Sequence, residues 1–282
     1  MIHIVIPVFN RWRFTEPCIL SLLRQTHTDF KIIVADHGST DGTSEKIKDQ
    51  FPQVILLKGD ESMWWTAATN MGVKYALENG ADYVLTLNND LVVMHDYLNQ
   101  LINAAQKNLN TIIGSVSLNK NDTSIIVFAG VKWNTITAKY KPSININLSY
   151  TEVMNKYTLI NTDMLPGRGT LIPVSVFKKI GLFDEVNFPH YAADEDFSLR
   201  AFDSGYHLAV ATKAAVLSEI DATGLTKNYK KKGFFFWRDT FFSMKSPNKL
   251  SNRWLWAKKH AKVPFIYFLF DVSRIVYSQI KK

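Results

Sequence analysis

Sulfhydryl chemistry is nearly absent from this sequence, whose single cysteine is Cys18. One thiol excludes an internal disulfide and supplies no cysteine cluster for zinc, which fits a reducing compartment; the cytoplasm is the expected location. Glycine-rich phosphate loops are missing as well. The first turn after the N-terminal apolar segment carries no G-x-G-x-x-G, and the chain has no G-x-x-x-x-G-K-[ST], so any nucleotide must be held in another way. Long apolar runs are also lacking: the longest, Val263 to Phe270, is stopped by Asp271 and Arg274, well short of the ~20 residues that cross a bilayer. The N-terminus enters a strand pattern at once, Ile2-His3-Ile4-Val5-Ile6, with no basic n-region or long apolar h-region, and no signal peptide is read. Internal repeats and low-complexity segments are not evident.

Acidic residues are scarce at one end only. Residues 227–282 hold 14 Lys or Arg against Asp239 and Asp271, a balance of +12, whereas the remainder carries −4 within a total of +8. The basic segment is also aromatic, as in Lys230-Lys231-Lys232-Gly233-Phe234-Phe235-Phe236-Trp237-Arg238 and Trp254-Leu255-Trp256-Ala257-Lys258-Lys259. Two readings stay open: peripheral contact with an anionic membrane surface, where amphipathic rings sit at headgroup depth, or helices packed on the main domain with their lysines solvated. Nucleic acid is not an expected partner, because no recognisable nucleic-acid motif accompanies the charge.

What is present is a regular alternation. Ile2 to Val8, Phe30 to Asp36, Val54 to Lys58, Tyr83 to Leu87 and Ile112 to Val116 read as strands, while Phe14 to Leu23, Thr43 to Gln50, Thr66 to Glu78 and Asp96 to Lys107 have helical spacing. With 46% hydrophobic residues over 282 positions the chain can bury a full core, and the β-α rhythm argues a mostly parallel sheet flanked by helices. Beyond about residue 120 the pattern becomes mixed: Ile125 to Phe128 and Thr135 to Tyr140 are short segments, and the stretch with Asn145, Asn147 and Asn155 reads as loop or hairpin. The expected layout is an α/β domain over 1–226, in halves 1–119 and 120–226, with a helical appendage over 227–282.

In an open α/β sheet, ligands bind beyond the carboxyl ends of the strands. Those ends are polar here: Pro7-Val8-Phe9-Asn10, Asp36-His37-Gly38-Ser39 and Asn88-Asn89-Asp90. Each alone is ordinary turn chemistry, but three on one edge offer oxygen ligands where a hard cation and its phosphates could sit. A second acidic cluster, Asp194-Glu195-Asp196, precedes Arg200; on a helix Asp194 and Asp196 diverge by about 200°, so one can face a cleft while the other pairs with Arg200.

These segments, taken in order, resemble family 2 glycosyltransferases. The resemblance runs over about residues 1–225, through Ile4-Val5-Ile6-Pro7-Val8-Phe9-Asn10-Arg11, Ile33-Val34-Ala35-Asp36-His37-Gly38-Ser39-Thr40-Asp41-Gly42-Thr43, Trp64-Trp65-Thr66 to Asn70-Met71-Gly72, Leu87-Asn88-Asn89-Asp90, Pro166-Gly167-Arg168-Gly169 and Ala193-Asp194-Glu195-Asp196. It implies the GT-A fold, with a nucleotide-sugar half and an acceptor half, and inverting transfer of a sugar such as a hexose or deoxyhexose, the latter rhamnosyltransferase-like. UDP- or dTDP-linked donors and a glycan or lipid-linked acceptor of polysaccharide synthesis are the implied partners. Residue by residue, it implies Asp194 as catalytic base, Asp36 at the base of the donor, and Pro7, Val8, Phe9 and Asn10 as pocket wall. Asn88 and Asn89 would lie at the donor, Asp90 would bind Mn²⁺ or Mg²⁺, Arg168 would lie near the phosphates, and Gly167 to Gly169 would let the backbone approach the donor sugar. Asn70 and Trp65 fall in the donor region, and His190 and Asp196 on the acceptor side.

Several positions depart from the family pattern. His37 stands where a second Asp is frequent, Asn88 replaces the first carboxylate of the D-x-D motif, Thr69 stands where an Arg is often found, and the segment around Glu219 and Asp221 lacks the His that some relatives use on the metal. A nucleotidyltransferase or a non-catalytic nucleotide-sugar-binding module is the alternative class. The former would favour a basic glycine-rich loop after the first strand, and the latter would not need both Asp90 and Asp194.

Overall fold

The near-continuous apolar character of the first strand has a simple cause: helices cover both of its faces. In the computed structural model, which describes residues 1–145, 147–219 and 233–281, β1 (Ile2–Val8) is buried throughout. Val5 joins one apolar cluster with Val73 and Val84, while Ile4, Ile6 and Val8 join a second with Cys18, Ile19 and Leu22. The first half continues as α1 (Trp12–Leu23), β2 (Phe30–Asp36), α2 (Thr43–Gln50), β3 (Ile55–Lys58), α3 (Trp65–Glu78) and β4 (Tyr83–Thr86). β1 runs parallel to β2 and β4, and β2 parallel to β3, so the polar strand ends do lie on one edge.

The mixed half adds β5 (Leu91–Val93), α4 (Tyr97–Lys107), β6 (Thr111–Asn119), β7 (Ile126–Phe128), β8 (Val131–Trp133), β9 (Tyr140–Pro142), α5 (Tyr150–Lys156), β10 (Leu159–Asn161), β11 (Thr170–Pro173), α6 (Val174–Ile180), α7 (Ala193–Asp203) and β12 (His207–Ser218). The sheet order is β10-β12-β6-β11-β4-β1-β2-β3. β12 is parallel to β6, and β11 enters antiparallel between β4 and β6, which carries the Gly167-to-Gly169 loop to the edge where β4 ends.

Two short segments differ from expectation. Thr135 to Tyr140 is mostly the turn of the β8–β9 hairpin, in which Asn134 Oδ1 accepts from the N–H groups of Ile136 and Thr137. The asparagine-rich stretch contains α5, opened by a capping box: Glu152 N–H donates to Ser149 Oγ, and Ser149 N–H donates to Glu152 Oε2. Ser149-x-x-Glu152 was the signal for that helix, and the surrounding asparagines obscured it.

Three helices follow, α8 (Phe234–Phe242), α9 (Leu250–His260) and α10 (Pro264–Lys281). Trp256, Ala257 and Tyr267 enter the main apolar cluster, and the indole N–H groups of Trp133 and Trp256 both donate to Tyr267 Oη, at 3.0 and 3.1 Å. α9 and α10 therefore pack on the domain. The expected boundary at 226 and the Lys230-Lys231-Lys232 run lie outside the described residues.

The α3–β1 contact depends on Gly72, where a Cβ would overlap the β-branched side chain of buried Val5. Gly72→Ala is expected to lower stability by about 1–3 kcal/mol, more than the ~1 kcal/mol that alanine gains in a helix. A lower urea midpoint at unchanged slope is the expected reading, and a variant as stable as the parent contradicts it.

Candidate active site

The loops after β1 and β2 are tied into one wall. Asn10 N–H donates to Ser39 Oγ at 2.7 Å, Thr40 N–H donates to Asn10 Oδ1 at 2.8 Å, and Trp12 N–H donates to Asp41 Oδ2 at 3.2 Å. Asn10 and Arg11 take left-handed backbone with φ of 58° and 67°, a conformation Asn tolerates and other side chains rarely adopt. Pro7 and Val8 are buried strand residues, so of the four positions expected to form the pocket wall, only Phe9 and Asn10 reach its rim. Phe9 is exposed and stacks on His37 with ring centroids 5.1 Å apart. Asp36 is buried, its Oδ1 accepting from Ser39 N–H at 2.9 Å and its Oδ2 from the Ser44 hydroxyl.

At the end of β4 the three consecutive polar residues point three ways. Asn88 Oδ1 accepts from the Trp65 indole N–H at 3.0 Å, and buried Asn89 donates to Thr15 Oγ1 at 2.9 Å. Asp90 is the one left with a carboxylate at the edge, 3.6 Å from an Arg11 guanidinium nitrogen. Asn89, expected at the donor, is thus a packing residue beneath α1. Asn70 is another: it donates to the carbonyl of Phe183 at 2.9 Å and to Glu185 Oε2 at 2.6 Å, and accepts from Phe183 N–H at 3.1 Å, clamping the turn after α6 to α3.

Asp194 lies in the first turn of α7, where the helix dipole favours a carboxylate. Its Oδ2 accepts from Gly167 N–H at 2.7 Å and its Oδ1 from Glu195 N–H at 3.1 Å. Burial raises the Asp194 carboxyl above the usual range, against those two N–H groups and the Arg168 guanidinium. The neighbouring Glu195 is pushed up to about 7, by burial first and then by the Asp194 charge. The two carboxyls interact, and both are raised, each chiefly by burial. Arg168 feels both Asp194 and Asp90: burial lowers its proton affinity, and the two carboxylates hold it. A Cβ at Gly167 would overlap the Trp65 ring, so this glycine admits the indole rather than leaving backbone open to a sugar. Gly169, at φ 88°, packs against Ser115 and Tyr97.

On the far side, Thr66 N–H and hydroxyl bond the carbonyls of Pro189 and Phe188 at 3.1 and 2.6 Å and pin the His190 loop to α3. His190 packs on Trp64 and Tyr191 with centroids 5.3 and 4.3 Å away. It is pushed down to about 4, chiefly by burial and then by the charges of His37 and Lys245, so it is neutral at pH 7. Among the described residues the Nδ1 atoms of His37 and His190 are both buried without a partner.

A family model described as glycosyl transferase family 2 matches residues 3–181. The chain belongs to that family. Relatives include glycosyltransferase GlyG of Streptococcus pneumoniae, 28% identical over 120 residues, which are 41% of this chain and 38% of GlyG. The dTDP-rhamnosyl transferase RfbF of Shigella flexneri is 22% identical over 175 residues, 62% of this chain and 54% of that one. A glycosyltransferase of Rickettsia bellii, 26% identical over 171 residues and 58% of this chain, is spanned over only 24% of its own length. The chain thus spans from about a quarter to about half of these relatives. Among solved structures, GalNAc-T7 with UDP, GalNAc and Mn²⁺ superposes with TM-score 0.65 over 91% of this chain and 50% of that one, at 14% identity. Staphylococcus aureus TarS 1–349 in complex with UDP gives 0.53 over 78% and 60%, at 16% identity. These likenesses establish the fold, which is GT-A.

Within this family 2 glycosyltransferase, one expected acceptor residue is corrected. Asp196 is wholly buried and binds Arg200 Nε at 2.8 Å, Lys259 Nζ at 2.6 Å and His260 Nε2 at 2.8 Å. No face of it is left for an acceptor. The pairing with Arg200 was legible from the four-residue spacing, whereas the two partners from α9 were not, since a Lys-Lys-His run reads as a solvated helix end. Glu195 and Arg11 were also missed; a carboxylate flanked by two others was the available signal for Glu195. Glu219 pairs with Lys120 at 3.5 Å, and Asp221 lies outside the described residues. No group of three or more His, Cys, Asp or Glu that could hold a metal ion occurs among the described residues.

Asp196 and Glu195 should give stability opposite pH dependences. Burial alone would raise Asp196, but the hydrogen bonds from His260, Lys259 and Arg200 outweigh it and hold it at about 2, below its ordinary 3.8. Its contribution is therefore full above pH ~4 and lost as pH falls toward 2. Asp196→Ala is expected to cost about 3–5 kcal/mol at pH 7, because Arg200 and Lys259 lose a buried counter-charge and the His260 ring a hydrogen-bond partner, with the gap to the parent closing in acid. Glu195, raised from 4.5 to about 7, destabilises increasingly as pH rises through that interval. Glu195→Gln should accordingly raise the melting temperature at pH 8 and leave it unchanged near pH 4. Thermal melts across pH check both signs.

Proposed function

We propose that this chain is an inverting glycosyltransferase that moves a sugar, a hexose or deoxyhexose, from a UDP- or dTDP-linked donor to a hydroxyl of a glycan or lipid-linked glycan intermediate. The observation that carries the reading is the placement of Asp194: a partly buried carboxylate, oriented by two backbone N–H groups, beside an arginine that also feels Asp90 at the strand edge.

Inversion needs a carboxylate to take the acceptor proton as its oxygen attacks the anomeric carbon, opposite a leaving nucleoside diphosphate. Asp194 is the group proposed to take that proton. Burial raises its proton affinity, the direction a base needs, while Arg168 and the N–H groups act against that rise. Arg168 would in addition meet the charge that develops on the diphosphate. Phe9 and His37 are proposed to flank the nucleobase beside Asp36, and His190, neutral and held by Trp64, to line the acceptor side.

One carboxylate with few neighbours suits a hard cation that completes its shell with substrate phosphates, as Mg²⁺ commonly does. Asp90 is the residue proposed to hold Mn²⁺ or Mg²⁺. When bound, the ion would neutralise the leaving diphosphate. Asn88, engaged by Trp65, adds no charge. The dTDP named for RfbF and the UDP bound to GalNAc-T7 and TarS support the choice of donor class.

Thermal-shift titration with UDP and dTDP, with and without Mn²⁺, followed by nucleotide-release assays on the matching sugars, tests the proposal. Asp194→Asn should lower turnover about 10²–10⁴-fold with donor binding within a few-fold of the parent. Asp90→Ala should abolish the Mn²⁺-dependent part of the nucleotide-induced melting shift. Turnover that survives Asp194→Asn removes the mechanism.

A further inference from the structure

α10 is amphipathic in the reverse of the usual sense. Tyr267, Asp271 and Ile275 are buried against the domain. Asp271 pairs with Arg253 at 3.5 Å and Arg274 at 4.0 Å, and the Arg274 guanidinium donates to the carbonyls of Thr137 and Ala138. The internal charges of the helix are thus directed inward. On the opposite side Phe265, Ile266, Leu269, Phe270, Tyr277 and Ile280 are each 43% to 67% exposed. At 3.6 residues per turn they occupy an arc of about 140°, in which Ser273 is the only polar residue. A surface helix normally turns its charged face to water, and a contiguous apolar patch of this kind marks an interaction site.

The surrounding charge identifies the partner. The segment 227–282 carries 14 Lys or Arg against two carboxylates, and both carboxylates are in ion pairs, Asp271 with Arg253 and Asp239 with Arg238. Exposed lysines border the arc. Lys258 lies over Trp254, which packs edge-on against Phe268 of α10, Lys262 immediately precedes the helix, and Lys281 lies over Tyr277. α8 likewise exposes Phe234, Phe235 and Phe242 and buries no residue. A second copy of the chain would bring the same cationic border against itself, whereas anionic headgroups complement it. No helix among the described residues is long and apolar enough to cross a membrane.

We propose that α10 lies in the plane of an anionic phospholipid surface, with its aromatic and aliphatic arc among the acyl chains and Lys258, Lys262 and Lys281 at headgroup level. The two readings left open by the basic tail are then both satisfied by different faces: α9 and α10 pack on the domain through their inner side and meet lipid through the outer. The proposal stands on the tail's own geometry and does not depend on the sugar-transfer reading.

Flotation of the full chain with vesicles of equimolar phosphatidylcholine and phosphatidylglycerol, and of phosphatidylcholine alone, provides the test. Binding to the anionic vesicles, weaker to the neutral ones and reduced by salt, is expected. The double variant Leu269→Glu and Phe270→Glu should bind about tenfold more weakly or worse, while Leu109→Glu, on the exposed surface of the main domain, should bind as the parent does. If the double variant fails to fold, Phe265→Glu and Ile280→Glu, toward the two ends of the helix, carry the same expectation. The proposal is overturned if the parent stays off anionic vesicles, or if folded arc variants bind them undiminished. It is likewise overturned if the parent is a dimer in solution that the arc variants disperse without any vesicle binding.

Discussion

The buried Asp196 carboxylate is the point on which the second half of the domain is assembled. A carboxylate with no exposed surface requires compensating charge and hydrogen bonds, and three side chains supply them: Arg200 from the same helix, Lys259 and His260 from α9. Each carries a further constraint with it. Arg200 also donates to the carbonyls of Ile180 and Leu182, at 2.8 Å each, fixing the end of α6 and the turn that follows. Lys259 also reaches Asp184, and the His260 ring packs on Trp256, whose indole bonds Tyr267 of α10. One desolvated charge therefore joins α6, α7, α9 and α10, two residues beyond Asp194.

The candidate site rests on aromatic and amide contacts rather than on a cluster of acids. Trp65 occupies the space that Gly167 leaves open and donates to Asn88, so a single indole sets the distance between the strand edge and the loop that orients Asp194. Asn70 performs the matching task on the other side of α3 by clamping the 183–185 turn. Polar residues of a sequence pattern can serve the geometry of a site without facing it, because a buried amide satisfies donors and acceptors of neighbouring backbone as readily as those of a ligand.

Much of the architecture is legible along the chain where period and environment agree. β1, β2 and α2 fall where their apolar patterns place them, because strands covered on both faces must be apolar at every position. α5 was obscured because its capping box sits among asparagines that also suit a loop. At the candidate site the edge itself was readable, since parallel strands bring their carboxyl ends together, and so was the Asp196–Arg200 pair, since helical spacing is local. The partners of Asn70, Asn89 and Asp196 were not legible for a common reason: where a side chain points depends on what packs against it from elsewhere in the chain.

The sequence alone thus determined the β-α order, the common edge of polar strand ends, the acidic start of α7 and the basic, aromatic character of the last segment. These follow from local periodicity and composition, which a linear chain carries in full. Only the tertiary structure decided what the three adjacent polar residues at the end of β4 each bind, which of Asp194 and Asp196 is buried against Arg200, Lys259 and His260, and which face of α10 looks outward. Those outcomes are set by desolvation and by partners that approach from distant parts of the chain, as when Lys259 and His260 close over Asp196 and Arg253 turns Asp271 inward.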